Sequence, residues 1–408
     1  MKGKKDRTMK DYIKIDDPKK CCGCGACANI CPRDAIEMKE DEMGFIFPAV
    51  DESKCIKCGL CRAVCVFCDK GAYENGEPLV YAAASKNKDV IMQSSSGGIF
   101  TELAEAILDK GGAVFGAAWA DDLSLHHICV ENKDDIAKLR GSKYVQSSTD
   151  MTFRRVKELL DDGKYICYSG TPCQIAGLRA FLKKDYDNLL TLDLICHGVP
   201  SVKMLQEDLS YVSGKKKINI SAVRFRDKNF GWGVNGSVSD GSSKVKYNSD
   251  SSPYYFYFLS GELYRESCYN CRFPSEGRQG DITLGDYWGI KRELVSDMGD
   301  VDVDKGVSCL LVNTEKGKRW LKEIENRLHI APSDRRSAEQ RNKQLTRPSV
   351  PMPEHTALSE MYREKGYDAF LYWYKKNYKK HIVRYAKNLI PRKMKRKLMQ
   401  VYSSIKYR

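Results

Sequence analysis

No stretch of this chain stays apolar for the ~18 residues that a membrane-spanning helix needs, which argues against an integral helical membrane protein. The N-terminal MKGKKDRTMKDYIKID carries basic residues but no apolar h-region, so it does not read as a secretory signal. No G-x-G-x-x-G fingerprint follows a strand, and the commonest sign of a dinucleotide fold is therefore missing. From Ala369 to Arg408 there is no Asp or Glu, while Lys and Arg recur in KKNYKK and RKMKRK. That tail carries nearly all of the net charge of +14 and leaves a body close to neutral. Its interleaved aromatics (FLYWYKKNYKKHIVRYAKNLI) suit either a packed, solvated helix or contact with an anionic membrane surface at the inner face. Nucleic acid is not expected, because no reading module accompanies the basic run.

What the chain has is cysteine. Seventeen cysteines without a secretory signal point to a reducing cytoplasm and to metal ligation rather than disulfides. Ten fall in the first seventy residues. Cys21, Cys24, Cys27 and Cys31 read C-x-x-C-x-x-C-x-x-x-C-P, and Cys55, Cys58, Cys61 and Cys65 repeat the spacing with Val66 in place of proline. Structural zinc sites pair two C-x-x-C knuckles instead. In two-cluster ferredoxins the last cysteine of each run ligates the other cluster. The expectation is one 4Fe-4S cluster on Cys21, Cys24, Cys27 and Cys65, and a second on Cys55, Cys58, Cys61 and Cys31. Cys22 and Cys68 flank these loops and are read as non-ligands.

The 408 residues, 42% of them hydrophobic, allow two or three globular domains. Residues 1–77 read as a small α+β ferredoxin-like unit. Residues 78–312 alternate strands (VYAAAS, GGAVFGAAWA, KYICYSG, NLLTLDLIC) with helices, one opening after Ser94–Gly98 and one at FRRVKELLDDG, as an α/β core would. Within them, about 215–265 alternates in short strands with Gly and Ser turns, like an antiparallel insert. Residues 313–408 read as a helical region ending in the basic tail.

Seven more cysteines lie beyond the first unit. Cys129, Cys167 and Cys309 sit in apolar runs and read as buried small hydrophobes. Cys173 in SGTPCQ and Cys196 in ICHGVP follow predicted parallel strands, where open α/β sheets place their sites. Cys268 and Cys271 form a C-x-x-C. Four thiolates from three loops suit either a third 4Fe-4S cluster or an all-cysteine zinc site.

SSSGGIFTELAEAIL, LRGSKYVQS, SGTPCQIAGLRAFL, DLICHGVPS, and SCYNCRF with GDITLGDYWGI occur in this order. From about residue 80 to 310 the chain thereby resembles the family of beta subunits of coenzyme F420 hydrogenases and dehydrogenases, with a fused two-cluster ferredoxin. That family consists of iron–sulfur flavoproteins, and includes archaeal deazaflavin reductases and a plant chlorophyll-intermediate reductase. The resemblance implies a third cluster on Cys173, Cys196, Cys268 and Cys271. It also implies FAD on Ser96, Gly97, Gly98, Ser142, Lys143 and Tyr144, with Lys143 suited to a phosphate and the SSSGG turn to a diphosphate at a helix start. Thr171, Gln174 and His197 adjoin the third cysteine set and are expected to face the isoalloxazine, Thr171 and Gln174 as further cofactor contacts. His197 is the candidate catalytic residue, with a hydrogen-bonded turn residue as the alternative. Asp281 and Asp286 read as turn and strand-end residues. The implied activity is a cytoplasmic oxidoreductase passing electrons from a ferredoxin-like partner through clusters to FAD and an organic substrate. The insert and tail depart from the compact archaeal relatives and put F420 itself in doubt; bacterial relatives of this shape point toward surface-polysaccharide metabolism. The alternative is an electron-transfer component of a larger complex.

Overall fold

The computed structural model describes residues 11–68, 76–275, 277–290, 292–376 and 394. The basic tail beyond 376, with the exception of Met394, lies outside the described residues. Strands β1 (Ile36–Glu40) and β2 (Ile46–Val50) form an antiparallel hairpin beside the cysteine loops. The central sheet takes β3 (Leu79–Ser85), β4 (Ala113–Trp119), β5 (Leu125–Val130), β6 (Ile166–Gly170) and β7 (Leu189–Leu194). The chain then makes a three-stranded antiparallel sheet from β8 (Ala222–Arg224), β9 (Gly236–Ser239) and β10 (Lys244–Tyr247). It returns to the central sheet with β11 (Ile282–Asp286), β12 (Ser308–Val312) and β13 (Leu328–Ser333).

The eight-stranded order is β13-β3-β12-β11-β7-β6-β4-β5. Its middle four, β4, β6, β7 and β11, run parallel, and antiparallel strands flank them on both sides. Parallel strands are covered on both faces, and their sequences are accordingly apolar throughout. Helices Ile99–Asp109 and Glu315–Ile324 bury Leu103, Ile107, Trp320 and Ile324 against one face, over Val114, Cys167 and Leu190. Helices Thr152–Asp161 and Pro172–Leu182 cover the other, placing Phe153, Val156, Ile175 and Leu178 on Phe115 and Tyr168. Successive residues point to opposite faces of a strand, so Val114 and Phe115 serve different layers.

The sheet extends past the expected boundary at 312. β13 pairs with β3 at the sheet edge, and the long C-terminal helices begin at His355. Pro332 hides this strand from sequence reading, but an edge position needs no ladder donor on that side. Inside the insert, PYYFYFLS is the helix Pro253–Ser260, capped by Ser252. It belongs to a tyrosine-rich cluster with Tyr247, Tyr362, Phe370 and Tyr374. Part of the aromatic face that opens the basic tail is therefore packed: Phe370 is 1% exposed and Tyr374 8%, whereas Tyr372 is 61% exposed. The GWGVNG run has the letters of a dinucleotide loop but leads into β9, a strand, not a helix.

The cysteine-rich unit is joined to the sheet domain by a polar seam. Asn29 Nδ2 donates to the Asp150 carbonyl at 2.7 Å, and Arg154 donates to the carbonyls of Asn29 and Cys31, each at 2.6 Å. Thr149 Oγ1 donates to the Cys24 carbonyl at 3.0 Å and Arg272 to that of Val66 at 2.6 Å. Helix Pro172–Leu182 passes so close that a Cβ on Gly177 would stand 2.9 Å from Cys24 Sγ. Only glycine permits that approach.

Candidate redox site

The cysteines of the first unit gather in two groups. Cys27 lies in the electrostatic field of Cys24, Cys21 and Cys65, so the last cysteine of the second run stands with the first three of the first run. Cys31 lines a small cleft with Cys55, Cys58 and Cys61. Burial raises the Cys27 thiol well above its ordinary value and Cys65 to about 12. Thiolates at such positions need positive counter-charge, and ferric and ferrous iron supply it.

The second set converges on a cavity of about 470 Å³ at the carboxyl ends of β6, β7 and β11. β6 delivers Cys173 through a capping box: Thr171 caps the helix, Gln174 Oε1 accepts from Thr171 N at 3.0 Å, and Pro172 fills the first turn. Cys196 and His197 follow β7, and Cys268 and Cys271 arrive from the short helix Glu266–Tyr269. All four thiols line the cavity, and Cys196 feels Cys268, Cys173 and Cys271 in that order. Among the described residues no three His, Cys, Asp or Glu side chains stand close enough for a single metal ion.

Cys22 bridges the two regions. Its thiol lines the cavity and interacts with both Cys24 and Cys173, and that interaction is the chief cause that lowers the Cys173 thiol. Cys167 and Cys309 are fully buried in the sheet, while Cys129 is half-buried.

Ser96, Gly98, Ser142, Lys143, Tyr144, Thr171, Gln174 and His197 all line the same cavity. Gly98, Ile99 and Phe100 present the start of the helix Ile99–Asp109 to it, where unpaired N–H groups favour an anion. Two of the expected contacts are engaged by the protein itself. Gly97 does not line the cavity: its N–H donates to Ser308 Oγ at 2.9 Å, and a Cβ there would lie 2.3 Å from the Ala83 carbonyl oxygen. Its glycine serves the approach of the loop to the sheet. Lys143 lines the cavity, and its Nζ donates to the carbonyls of Leu139 (3.0 Å), Arg140 (2.9 Å) and Gly141 (3.3 Å). Burial, with Arg224 second, lowers its pKa to about 7. Gln174 Nε2 is likewise engaged, by Ser147 Oγ at 3.0 Å. His197 is half-buried, and burial lowers its pKa.

The insert supplies residues that sequence reading missed. Arg226 forms a bidentate pair with Asp286 at the end of β11, at 2.7 and 3.0 Å, and also donates to the Ser95 carbonyl at 3.1 Å and Tyr144 OH at 3.2 Å. Lys228 Nζ donates to the Ile91 and Ser96 carbonyls at 2.5 and 2.7 Å. Trp232 and Trp288 stack at 4.9 Å beside this pair. The insert thus fixes the SSSGG loop and roofs the cavity. The alternation R-F-R around Phe225 was the available signal, because it places two arginines on the face opposite a core aromatic.

Residues 163–336 match the C-terminal part of the coenzyme F420 hydrogenase/dehydrogenase beta subunit, and residues 80–152 match its N-terminal part. Residues 20–67 match the 4Fe-4S dicluster domain. The chain belongs to the family of the coenzyme F420 hydrogenase/dehydrogenase beta subunit, with a dicluster ferredoxin unit at its N-terminal side, and its chemistry is electron transfer through 4Fe-4S clusters. It is similar to an uncharacterised protein of Methanocaldococcus jannaschii, 22% identical over 78% of this chain and 91% of that one. It is 24% identical to the coenzyme F420-dependent sulfite reductase of the same organism over 78% of this chain, spanning 47% of that protein's length. One of the subunits of the F(420)H(2) dehydrogenase of Methanosarcina mazei is 20% identical over 76% of this chain and 84% of its own. A chain of the F420-reducing NiFe hydrogenase complex of Methanosarcina barkeri aligns over 72% of this chain and 95% of its own, at 16% identity and a TM-score of 0.45.

Proposed function

We propose that this protein is an FAD-dependent iron–sulfur oxidoreductase in which three 4Fe-4S clusters connect a ferredoxin-like partner to a flavin facing an organic substrate. The observation that carries the reading is the convergence of Cys173, Cys196, Cys268 and Cys271 on one cavity, with Cys22 joining Cys173 to Cys24 of the ferredoxin unit. Cys31, Cys55, Cys58 and Cys61 hold the outer cluster, Cys21, Cys24, Cys27 and Cys65 the middle one, and the four cavity cysteines the inner one. FAD, when bound, converts between one-electron and two-electron chemistry.

The protein's part is to bind, orient and exclude water. The helix start at Gly98–Phe100 suits the diphosphate. Arg226 holds Ser95 and Tyr144 in place, and the paired tryptophans shield the outer end. His197, beside Cys196, is the group placed to exchange a proton with substrate. Burial keeps it neutral at physiological pH, so it acts first as acceptor.

Anaerobic acid extraction tests the reading. FAD should appear at about one per chain with about twelve irons. A fully metallated chain that takes up no flavin on reconstitution reduces the protein to a relay. That second reading draws on the F(420)H(2) dehydrogenase and F420-reducing hydrogenase relatives, whose names place them in redox assemblies. Turnover of a small substrate by the isolated chain favours the enzyme, and turnover only with a partner protein favours the relay. A sugar or lipid-linked intermediate of surface-polysaccharide synthesis is the substrate class to try beside F420.

A further inference from the structure

Arg265 has no role in the account so far, and its environment is unusual. It is 1% exposed and does not line the cavity. Its backbone N–H donates to the Val199 carbonyl at 2.9 Å, its carbonyl accepts from Cys268 N at 2.8 Å, and its Nε donates to the Cys21 carbonyl at 2.7 Å. One residue is thereby tied to three cysteine loops, those of Cys21, Cys196 and Cys268. The guanidinium lies on the Phe47 ring, 3.8 Å from its centre. No carboxylate pairs with it among the described residues, and neither Nη finds an acceptor.

A buried charge with unmet donors costs several kcal/mol unless something compensates it. The groups around it are sulfurs. Cys21, Cys268 and Cys173 all lie within electrostatic reach of the Arg265 guanidinium. A second orphaned donor points the same way. Gln146 Nε2 has no partner, and a Cβ on Gly23, between Cys21 and Cys24, would lie 2.5 Å from it and 3.6 Å from Arg265 Nη1. Two sets of unmet donors thus converge where the middle and inner cysteine sets meet.

We propose that Arg265 tunes the middle and inner clusters together: its guanidinium, with Gln146 Nε2 assisting at the middle one, stabilises the extra electron each takes up and raises both reduction potentials. This rests on the three-cluster reading. Each reduction adds one electron and one negative charge to a cluster, from a one-electron reductant, with no bond made or broken. A fixed cation nearby favours the more negative form. Arg265 is a positioning and tuning residue, and substrate does not touch it.

The test is a dithionite titration of the whole chain followed by electron paramagnetic resonance. In Arg265→Gln the middle and inner clusters should become at least tenfold harder to reduce, about 59 mV more negative for one electron, while the outer cluster stays put. Arg265→Lys keeps the charge but not the fork and should lose less. Gln146→Leu should shift the middle cluster alone. Should Arg265→Gln fail to retain iron, the other two variants carry the test. Unchanged potentials in variants that keep their iron overturn the proposal, as does an equal shift of all three clusters. Wild-type iron near eight would remove the third cluster, and the middle cluster's response would still decide the role of Arg265.

Discussion

Removing the Asp286 carboxylate should expose how much the roof of the cavity depends on one buried ion pair. The Arg226 and Asp286 side chains are only 2% and 14% exposed, and the carboxylate accepts from both Nη atoms and from Trp232 Nε1 at 3.2 Å. Burial disfavours the Arg226 cation, yet Tyr144 and Asp286 outweigh it and raise its pKa. Asp286→Ala strands that cation, and breaking a buried pair from one side costs about 3–5 kcal/mol. At roughly 2 °C per kcal/mol, unfolding followed by circular dichroism under nitrogen should move down by about 6–10 °C. Because Arg226 also holds the Ser95 carbonyl, flavin should dissociate faster. Arg226→Met alone should cost a similar amount. The double variant, with neither charge left, should recover to within about 1 kcal/mol of wild type, since a buried pair often exchanges for apolar groups at little cost. A single variant within about 1 kcal/mol of wild type, or a double variant showing the sum of both losses, refutes the reasoning.

Other outcomes follow from the same geometry. Cys268→Ser should remove about four irons per chain and leave the ferredoxin-unit signal, whereas Cys22→Ser should remove none; equal losses would make Cys22 a ligand. His127 is 3% exposed, and burial pulls its pKa from 6.5 to about 4. Between those values the unfolded chain binds a proton that the folded chain does not, so stability should be flat above about pH 6.5 and fall by ~3 kcal/mol toward pH 4. His127→Gln should flatten that limb in acid denaturation, and an unchanged slope would show that other groups dominate. Deleting residues 377–408 should abolish salt-sensitive sedimentation with anionic vesicles while iron and flavin stay; sedimentation equal to that of the full chain would leave the tail without a membrane role.

The cysteine spacing made the most legible part of the molecule, because cubane geometry allows few arrangements of C-x-x-C-x-x-C. Cys173 and Cys196 were legible for a different reason: each follows an apolar strand whose carboxyl end is where an open sheet leaves a crevice. The sequence was misleading where one residue type serves two purposes. Gly97 looked like a phosphate cradle and serves loop-to-sheet contact. Lys143 looked like an anion binder and holds three carbonyls. PYYFYFLS has the aromatic content of a strand but folds as a helix, because the tyrosine-rich core around it decides. Arg265 was illegible, since its partner Cys21 is 244 positions away in the chain.

The seam between the ferredoxin unit and the sheet domain bears on how the protein is driven. Separate carriers must first meet, and ionic strength then governs their encounter. Here Asn29, Thr149 and Arg154 tie the two regions together, so on the proposed function the internal handover is unimolecular and has no concentration to depend on. Salt and dilution should slow only the arrival of electrons from outside.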